Sequence, residues 1–135
     1  VNILDLIGFF KKNKIQIFKF TVVGLGSTIL NFAIYSIVYQ LTLVINLASV
    51  IGYILGLLNS FYFSDKWVFT NSRNIKTNYA LFLFFSIYFL GGLEMAFIIN
   101  IVDKLIQNHK IAWICGASFA AMNNYLCCKY FLFDD

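Results

Sequence analysis

One stretch of this sequence limits its fold more than any other. Phe20 to Ser64 is a run of 45 consecutive residues without Asp, Glu, Lys or Arg. About 20 apolar residues cross a bilayer as a helix, so a run of this length is two crossings joined by a short turn. Backbone N–H and C=O groups must be paired inside lipid, and this requirement predicts a helical hairpin.

The second half of the chain has a similar pattern. Tyr79 to Val102 is apolar apart from Glu94, and a fourth apolar segment follows. Only 12% of the residues are charged, against about a quarter in a soluble domain. We therefore predict an all-α integral membrane protein with four transmembrane helices that form two helical hairpins. The expected spans are residues 20–39, 45–64, 79–102 and 111–130 of a single membrane domain, 1–135.

The N-terminal segment, residues 1–16, is predicted to be separate from the first span. Its apolar residues recur at helical spacing, which is typical of a helix that lies on a membrane surface. A frayed terminus is the alternative.

Basic residues predict the orientation. In this arrangement eight Lys and Arg residues lie on the side of the termini, and two, Lys104 and Lys110, lie on the other side. Cytoplasmic segments carry the excess of such residues, so both termini are expected in the cytoplasm. Because orientation and anionic lipid account for the net charge of +4, we expect no binding to nucleic acid.

The two hairpins also match each other at an offset of 64 residues, which predicts a parallel internal repeat. The matching pairs are Asn59 with Asn123, Phe61 with Tyr125, Trp67 with Phe131, Val68 with Leu132, and Phe69 with Phe133.

Polar side chains within the spans are the candidate functional residues. A carboxamide or carboxyl group in hydrocarbon is costly unless it is paired, so such residues are functional candidates by default. Helix packing is the alternative for the amides. For Glu94 the alternatives are a side chain that reaches the outer surface or a pair with Lys104 or Lys110. The candidate polar path comprises Asn31, Asn59, Ser60, Glu94, Asn123 and Asn124.

No catalytic or metal site is expected, and no cofactor. The single histidine, His109, has no second ligand near it in the sequence, and the three cysteines lie in apolar segments as buried small residues. Gly52 and Gly56 form a GxxxG pair, which serves packing within or between subunits.

Several motifs together resemble the GtrA family of small four-span membrane proteins. The first span contains Gly24-x-x-x-Thr28-x-x-Asn31-Phe32, and Trp67-Val68-Phe69 follows the second. The third span contains Glu94, and the fourth ends in Asn124-Tyr125-x-x-x-Lys129-x-Phe131-Leu132-Phe133. The resemblance covers the chain from about residue 14 to residue 133.

This resemblance implies a function. It suggests translocation of a polyprenyl-phosphate-linked sugar across the cytoplasmic membrane, for a glycosyltransferase that modifies a surface polysaccharide or wall polymer. The family usually has Asn-Arg-x-Trp-Val-Phe where this chain has Ser64-Asp65-Lys66-Trp67-Val68-Phe69, which moves the expected phosphate contact to Lys66 and the fourth span. The implied phosphate-binding residues are Lys19, Lys66 and Lys129, and the interfacial aromatic residues are Trp67, Phe69, Phe131 and Phe133.

Other functions remain open at this point. The chain could be a membrane scaffold that positions a polyprenyl-phosphate glycosyltransferase and moves no lipid. A small channel or drug exporter has its support in Glu94 alone. An enzyme has the least support, because the sequence holds no nucleophile–base pair. Four helices are few for a closed path, so the transport interpretation also predicts a homo-oligomer.

Overall fold

The computed structural model describes residues 2–69 and 75–133, with the backbone alone at His109. These residues form helices and no strand. Arg73, which is part of the predicted cytoplasmic loop, lies outside them. The helices are α1 (Ile3–Thr42), α2 (Ile45–Phe63), α3 (Thr77–Ile106) and α4 (His109–Cys127), and π-helical turns at Ser64–Val68 and Cys128–Leu132 extend α2 and α4.

All four helices are long and apolar enough to cross a membrane. This confirms the predicted all-α class with four membrane-spanning helices. The described residues fall into two compact units, one before residue 70 and one after it. Helix α1 packs against α2 in the first unit, and α3 packs against α4 in the second. The prediction of a single membrane domain stays a prediction.

Three boundaries differ from the prediction. Helix α1 begins at Ile3, so the N-terminal segment is helical and joins the first span without a break. No glycine or proline lies between Gly8 and Gly24 to interrupt it. The loop expected at 65–78 is helical as far as Val68, and that expected at 103–110 contains only Gln107 and Asn108 outside the helices.

Each hairpin turns through two residues, the first of which is left-handed. Leu43 has a φ of 56° and Gln107 a φ of 55°. Their N–H groups donate to Tyr39 O and Asp103 O, each at 2.8 Å, and so satisfy carbonyls at the end of α1 and α3. The side chain of Asn108 then caps α4 by accepting hydrogen bonds from two backbone N–H groups.

Glycine sets the close approach of α1 and α2. A Cβ atom at Gly52 would lie 2.7 Å from Asn31 Oδ1 and 2.8 Å from the Asn31 carbonyl oxygen. At Gly56 it would lie 3.1 Å from the Ser27 carbonyl oxygen. The GxxxG pair therefore serves packing within the hairpin, one of the two uses that the sequence left open.

Helices α3 and α4 approach in the same way. A Cβ atom at Gly116 would lie 3.0 Å from the Met95 carbonyl oxygen and 2.8 Å from Ile99 Cγ1. Gly116 follows Gly52 by 64 residues, and Met95 follows Asn31 by the same interval. The left-handed turn residues, the starts of α2 and α4, and both π-helical turns also recur at 64 residues. Common ancestry of the two hairpins stays a prediction.

The glycine contacts predict a difference between two alanine substitutions. Gly52→Ala should lower stability by about 1–3 kcal/mol, because its methyl group meets backbone as well as side chain on α1. Gly24→Ala is the control, since no atom lies within 4 Å of a Cβ there. It should leave stability unchanged or raise it by up to about 1 kcal/mol. Thermal unfolding in detergent measures both, and equal effects would contradict the packing described.

Candidate functional site

In the first unit the polar side chains lie between α1 and α2. Asn59 Nδ2 donates a hydrogen bond of 3.0 Å to Ser27 Oγ. Asn31 is half-buried against Gly52 and Gly56, and Ser60 is 3% exposed. Asn31 and Asn59 therefore lie at the contact between α1 and α2, as the packing alternative requires.

Two neighbouring hydroxyl residues of α1, Ser27 and Thr28, lie in different surroundings. Ser27 is 7% exposed and faces α2. Thr28 is exposed, and its hydroxyl donates to the Gly24 carbonyl oxygen of its own helix at 2.9 Å. Gly24 has no atom near a Cβ position. Residues three and four positions apart share a broad helix face, but only part of that face reaches the partner helix.

In the second unit Glu94 has an amide partner. Asn123 Nδ2 donates to Glu94 Oε2 at 2.8 Å, and Cys127 Sγ donates to Asn123 Oδ1 at 3.6 Å. Both Glu94 and Asn123 are half-buried. Among the described residues Glu94 forms no ion pair with Lys104 or Lys110, so that alternative finds no support.

Asn124 occupies a space that a glycine provides. It is 7% exposed, and a Cβ atom on Gly91 would collide with its amide group. The residues 64 positions earlier are Ser60 and Ser27, so the amide and the glycine of the second hairpin correspond to two serines in the first. Asn124 Oδ1 accepts no hydrogen bond from the described residues. A buried carbonyl oxygen is thus left as an acceptor.

Two side chains of α1 hold the end of the first hairpin. Gln16 Nε2 donates to the Val68 carbonyl oxygen at 3.4 Å, and Lys19 Nζ donates to that of Trp67 at 3.5 Å. Lys19 Nζ also lies 5.3 Å from the centre of the Trp67 ring. Carbonyls at a helix end lack partners within the helix, and a cation there is favourable. Lys19, expected at a lipid phosphate, is therefore engaged with Trp67.

The two other predicted phosphate-binding lysines lie in different surroundings. The side chain of Lys66 is 65% exposed, and its Nζ lies 3.5 Å from Asp65 Oδ2. Lys129 is only 7% exposed. An exposed ion pair such as that of Lys66 contributes about 0–1 kcal/mol, so Lys66 stays open to a stronger anion.

The predicted interfacial aromatic residues also divide into exposed and buried side chains. Trp67 is 41% and Phe131 is 76% exposed, and their place at a membrane surface stays a prediction. Phe69 and Phe133 are fully buried. Each follows a π-helical turn and donates its N–H to the first residue of that turn. Phe69 also packs edge to face on Phe20, with ring centres 6.2 Å apart, so it belongs to the core of the hairpin.

A groove runs along one face of the first unit, near the end of α2. It has a volume of about 520 Å³ and contains Asn59 and Lys66, two of the predicted site residues. The sequence did not single out Gly26, which lines the groove and has no atom within 4 Å of a Cβ. Its signal would have been its position one helical turn after Val22.

Metal binding finds no support in the part of the chain that the structure describes. Those residues include no group of three or more His, Cys, Asp and Glu side chains that could hold a metal ion. Cys115, Cys127 and Cys128 are free thiols. The side chain of His109 lies outside the described part.

The Ser27–Asn59 hydrogen bond predicts a contrast between neighbouring hydroxyls. Ser27→Ala removes the acceptor of an interhelical bond and should lower stability by about 0.6–2 kcal/mol. Thr28→Ala removes a hydroxyl that bonds only within α1 and should have less effect. Thermal unfolding of both variants in detergent makes the comparison. An equal loss of stability in Thr28→Ala and Ser27→Ala would show that the Ser27–Asn59 hydrogen bond adds no stability of its own.

Comparison with known proteins agrees with these features. The family model described as GtrA/DPMS, transmembrane domain, matches residues 19–133. Curated proteins give no match. The matched range includes the greater part of all four helices, the polar pairs and both π-helical turns. The protein is thus a multi-pass membrane protein involved in the handling of sugars on glycosyl carrier lipids. The chain belongs to the GtrA/DPMS transmembrane-domain family.

Proposed function

We propose that the protein translocates a polyprenyl-phosphate-linked sugar across the cytoplasmic membrane. In this proposal both termini are cytoplasmic, and the sugar is used on the other side in glycosylation of a surface polysaccharide or wall polymer. A membrane glycosyltransferase is the expected partner, and several copies of the chain assemble around the path. The carrier is a membrane translocator and not an enzyme.

The observation that carries the proposal is the Glu94–Asn123 hydrogen bond. At about 1.5 Å per residue, Glu94 lies roughly 26 Å from the start of α3 and roughly 18 Å from its end. It therefore lies well inside a helix that is long enough to cross the membrane. Its oxygen accepts from α4 at 2.8 Å, so the carboxyl group is directed towards the neighbouring helix.

The free energies of charge insertion and of hydrogen bonding favour a functional role for Glu94 over a role in helix packing alone. A charged side chain near the middle of a span costs about 2.5–3.5 kcal/mol on insertion scales. One interhelical hydrogen bond in a membrane contributes about 0.6 kcal/mol on average and about 1.7 kcal/mol at most. The bond to Asn123 does not offset the cost of the carboxyl group. A carboxyl group whose insertion cost exceeds the contribution of this hydrogen bond is a candidate for contact with a ligand.

The chemistry of the second unit suits a sugar. Sugar hydroxyls are donors and acceptors, and a carboxylate or an amide oxygen accepts from them. Glu94 supplies a carboxylate, and Asn124 Oδ1 is a buried oxygen without a donor among the described residues. These groups would replace water around a sugar head group, which is costly to move through hydrocarbon without such partners.

The scaffold interpretation loses one of its supports. Gly52 and Gly56 are in contact with Ser27 and Asn31 of the same chain, so that face is not free for a partner helix. The N-terminal part of α1 remains available for contact with a partner protein in the scaffold interpretation, since Ile3, Leu4 and Ile15 are 65–74% exposed.

The proposal predicts the effect of Glu94→Gln. This change keeps the size and hydrogen bonding of the side chain and removes its charge. In cells that depend on this protein, glycosylation of the surface polymer should fall at least about tenfold, as when a hydrogen bond to a charged group is lost. Thermal stability in detergent should stay equal or rise, because the charge is costly in lipid.

Asp103→Asn is the matched control. It removes the same charge from an exposed position near the end of the same helix and should leave glycosylation unchanged. Full glycosylation with Glu94→Gln would contradict the proposed path and favour the scaffold. A loss of glycosylation that merely follows a loss of stability would favour helix packing.

A further inference from the structure

The groove of the first unit combines an apolar floor with a cation at one end. On the α1 side it is lined by Val22, Val23 and Gly26. The α2 side ends at Lys66 and Trp67 in the π-helical turn. A volume of about 520 Å³ is within the range of roughly 300–1,000 Å³ that small-molecule sites occupy. A ligand that fits this arrangement has an apolar chain and an anionic end.

The cation at the groove is accessible. The Lys66 side chain is 65% exposed, and its neighbour Asp65 is 14% exposed with an oxygen 3.5 Å away. Because the lysine is largely exposed and the distance is long, this ion pair is weak. A phosphate group offers several strong acceptor oxygens and competes well for the ammonium group.

The wall of the groove is fixed by residues outside it. Lys19 and Gln16 of α1 donate to the carbonyl oxygens of Trp67 and Val68. The Lys19 ammonium group also lies near the face of the Trp67 ring. These contacts hold the indole ring at the groove, and so Lys19 acts here as a positioning residue. A preformed wall lowers the entropy that binding must overcome.

Three positions of the groove and its wall have different side chains at the corresponding places in the second unit. Sixty-four residues after Gly26 the chain has Leu90, and 64 residues after Lys66 it has Tyr130. The open glycine is thus replaced by a bulky side chain and the cation by a phenol. The position that follows Lys19 by the same interval is Leu83. The open glycine, the cation and the positioning lysine thus occur together at these positions in the first hairpin.

We infer that this groove binds a lipid phosphate, with the phosphate at Lys66 and the first part of the prenyl chain against Val22, Val23 and Gly26. The inference rests on the proposed function, since it names where the carrier lipid is held. Two lysines, the exposed Lys66 and the buried Lys129, are candidates for the phosphate contact. The inference assigns the contact to Lys66.

Filling the groove tests the inference. Gly26→Leu adds a side chain at the groove, and no atom lies within 4 Å of a Cβ at this position. Gly24→Leu is the matched control two residues away, where no atom lies within 4 Å of a Cβ either and which does not line the groove. The probe is farnesyl monophosphate in detergent, with binding followed by Trp67 fluorescence in a Trp113→Phe background. Gly26→Leu should weaken binding at least about tenfold, and Gly24→Leu should change it less than about twofold.

Removing the cation gives a second, independent measurement. Lys66→Gln should weaken binding of farnesyl monophosphate about tenfold or more, as expected for a charged hydrogen bond. Lys14→Gln, an exposed lysine of α1 outside the groove, is its control. Farnesol has the apolar chain alone, and inorganic phosphate has the anionic group alone. Each should therefore bind more weakly than farnesyl monophosphate.

Two results would overturn the inference. One is unchanged binding in both Gly26→Leu and Lys66→Gln, and the other is an equal loss in the Gly24→Leu and Lys14→Gln controls. Failure of the proposed function looks different. In that case farnesyl monophosphate binds the groove as described, while the unmodified protein fails to move the sugar-linked lipid.

Discussion

The close contact of two helices through glycine is the interaction on which the rest of this structure depends. Lipid tails are as apolar as leucine, so membrane helices pair through van der Waals contact and hydrogen bonds. Gly52 lets α2 approach the Asn31 backbone, and Gly116 lets α4 approach the Met95 backbone. At that separation polar side chains span the gap, and the Asn59–Ser27 and Asn123–Glu94 hydrogen bonds each lie about two turns from such a glycine.

Sequence reasoning predicted the spans because they follow from one strong requirement. A long uncharged run must be helical in lipid, and the run from Phe20 gave the first hairpin directly. The helix ends were less predictable. Charge marks where a segment leaves hydrocarbon, but lysine continues a helix readily, so α1 begins at Ile3 and α2 extends into its π-helical turn.

The candidate site was predictable in its residues and not in their partners. An intramembrane carboxyl group is conspicuous in any sequence, and Glu94 was singled out for that reason. Its bond to Asn123 depends on how two helices face each other, which spacing alone leaves undetermined. For the same reason the sequence could not distinguish exposed Lys66 from buried Lys129, nor Trp67 from the core residue Phe69.

The central claim is that this chain itself moves a lipid-linked sugar, and reconstitution tests it most directly. Vesicles that contain only this protein would carry a labelled polyprenyl-phosphate sugar, and an impermeant reagent would report the label that reaches the outer leaflet with time. The account predicts transfer that increases with the amount of protein, at a rate well above that of protein-free vesicles. Equal rates with and without folded protein would contradict it and identify the chain as a scaffold.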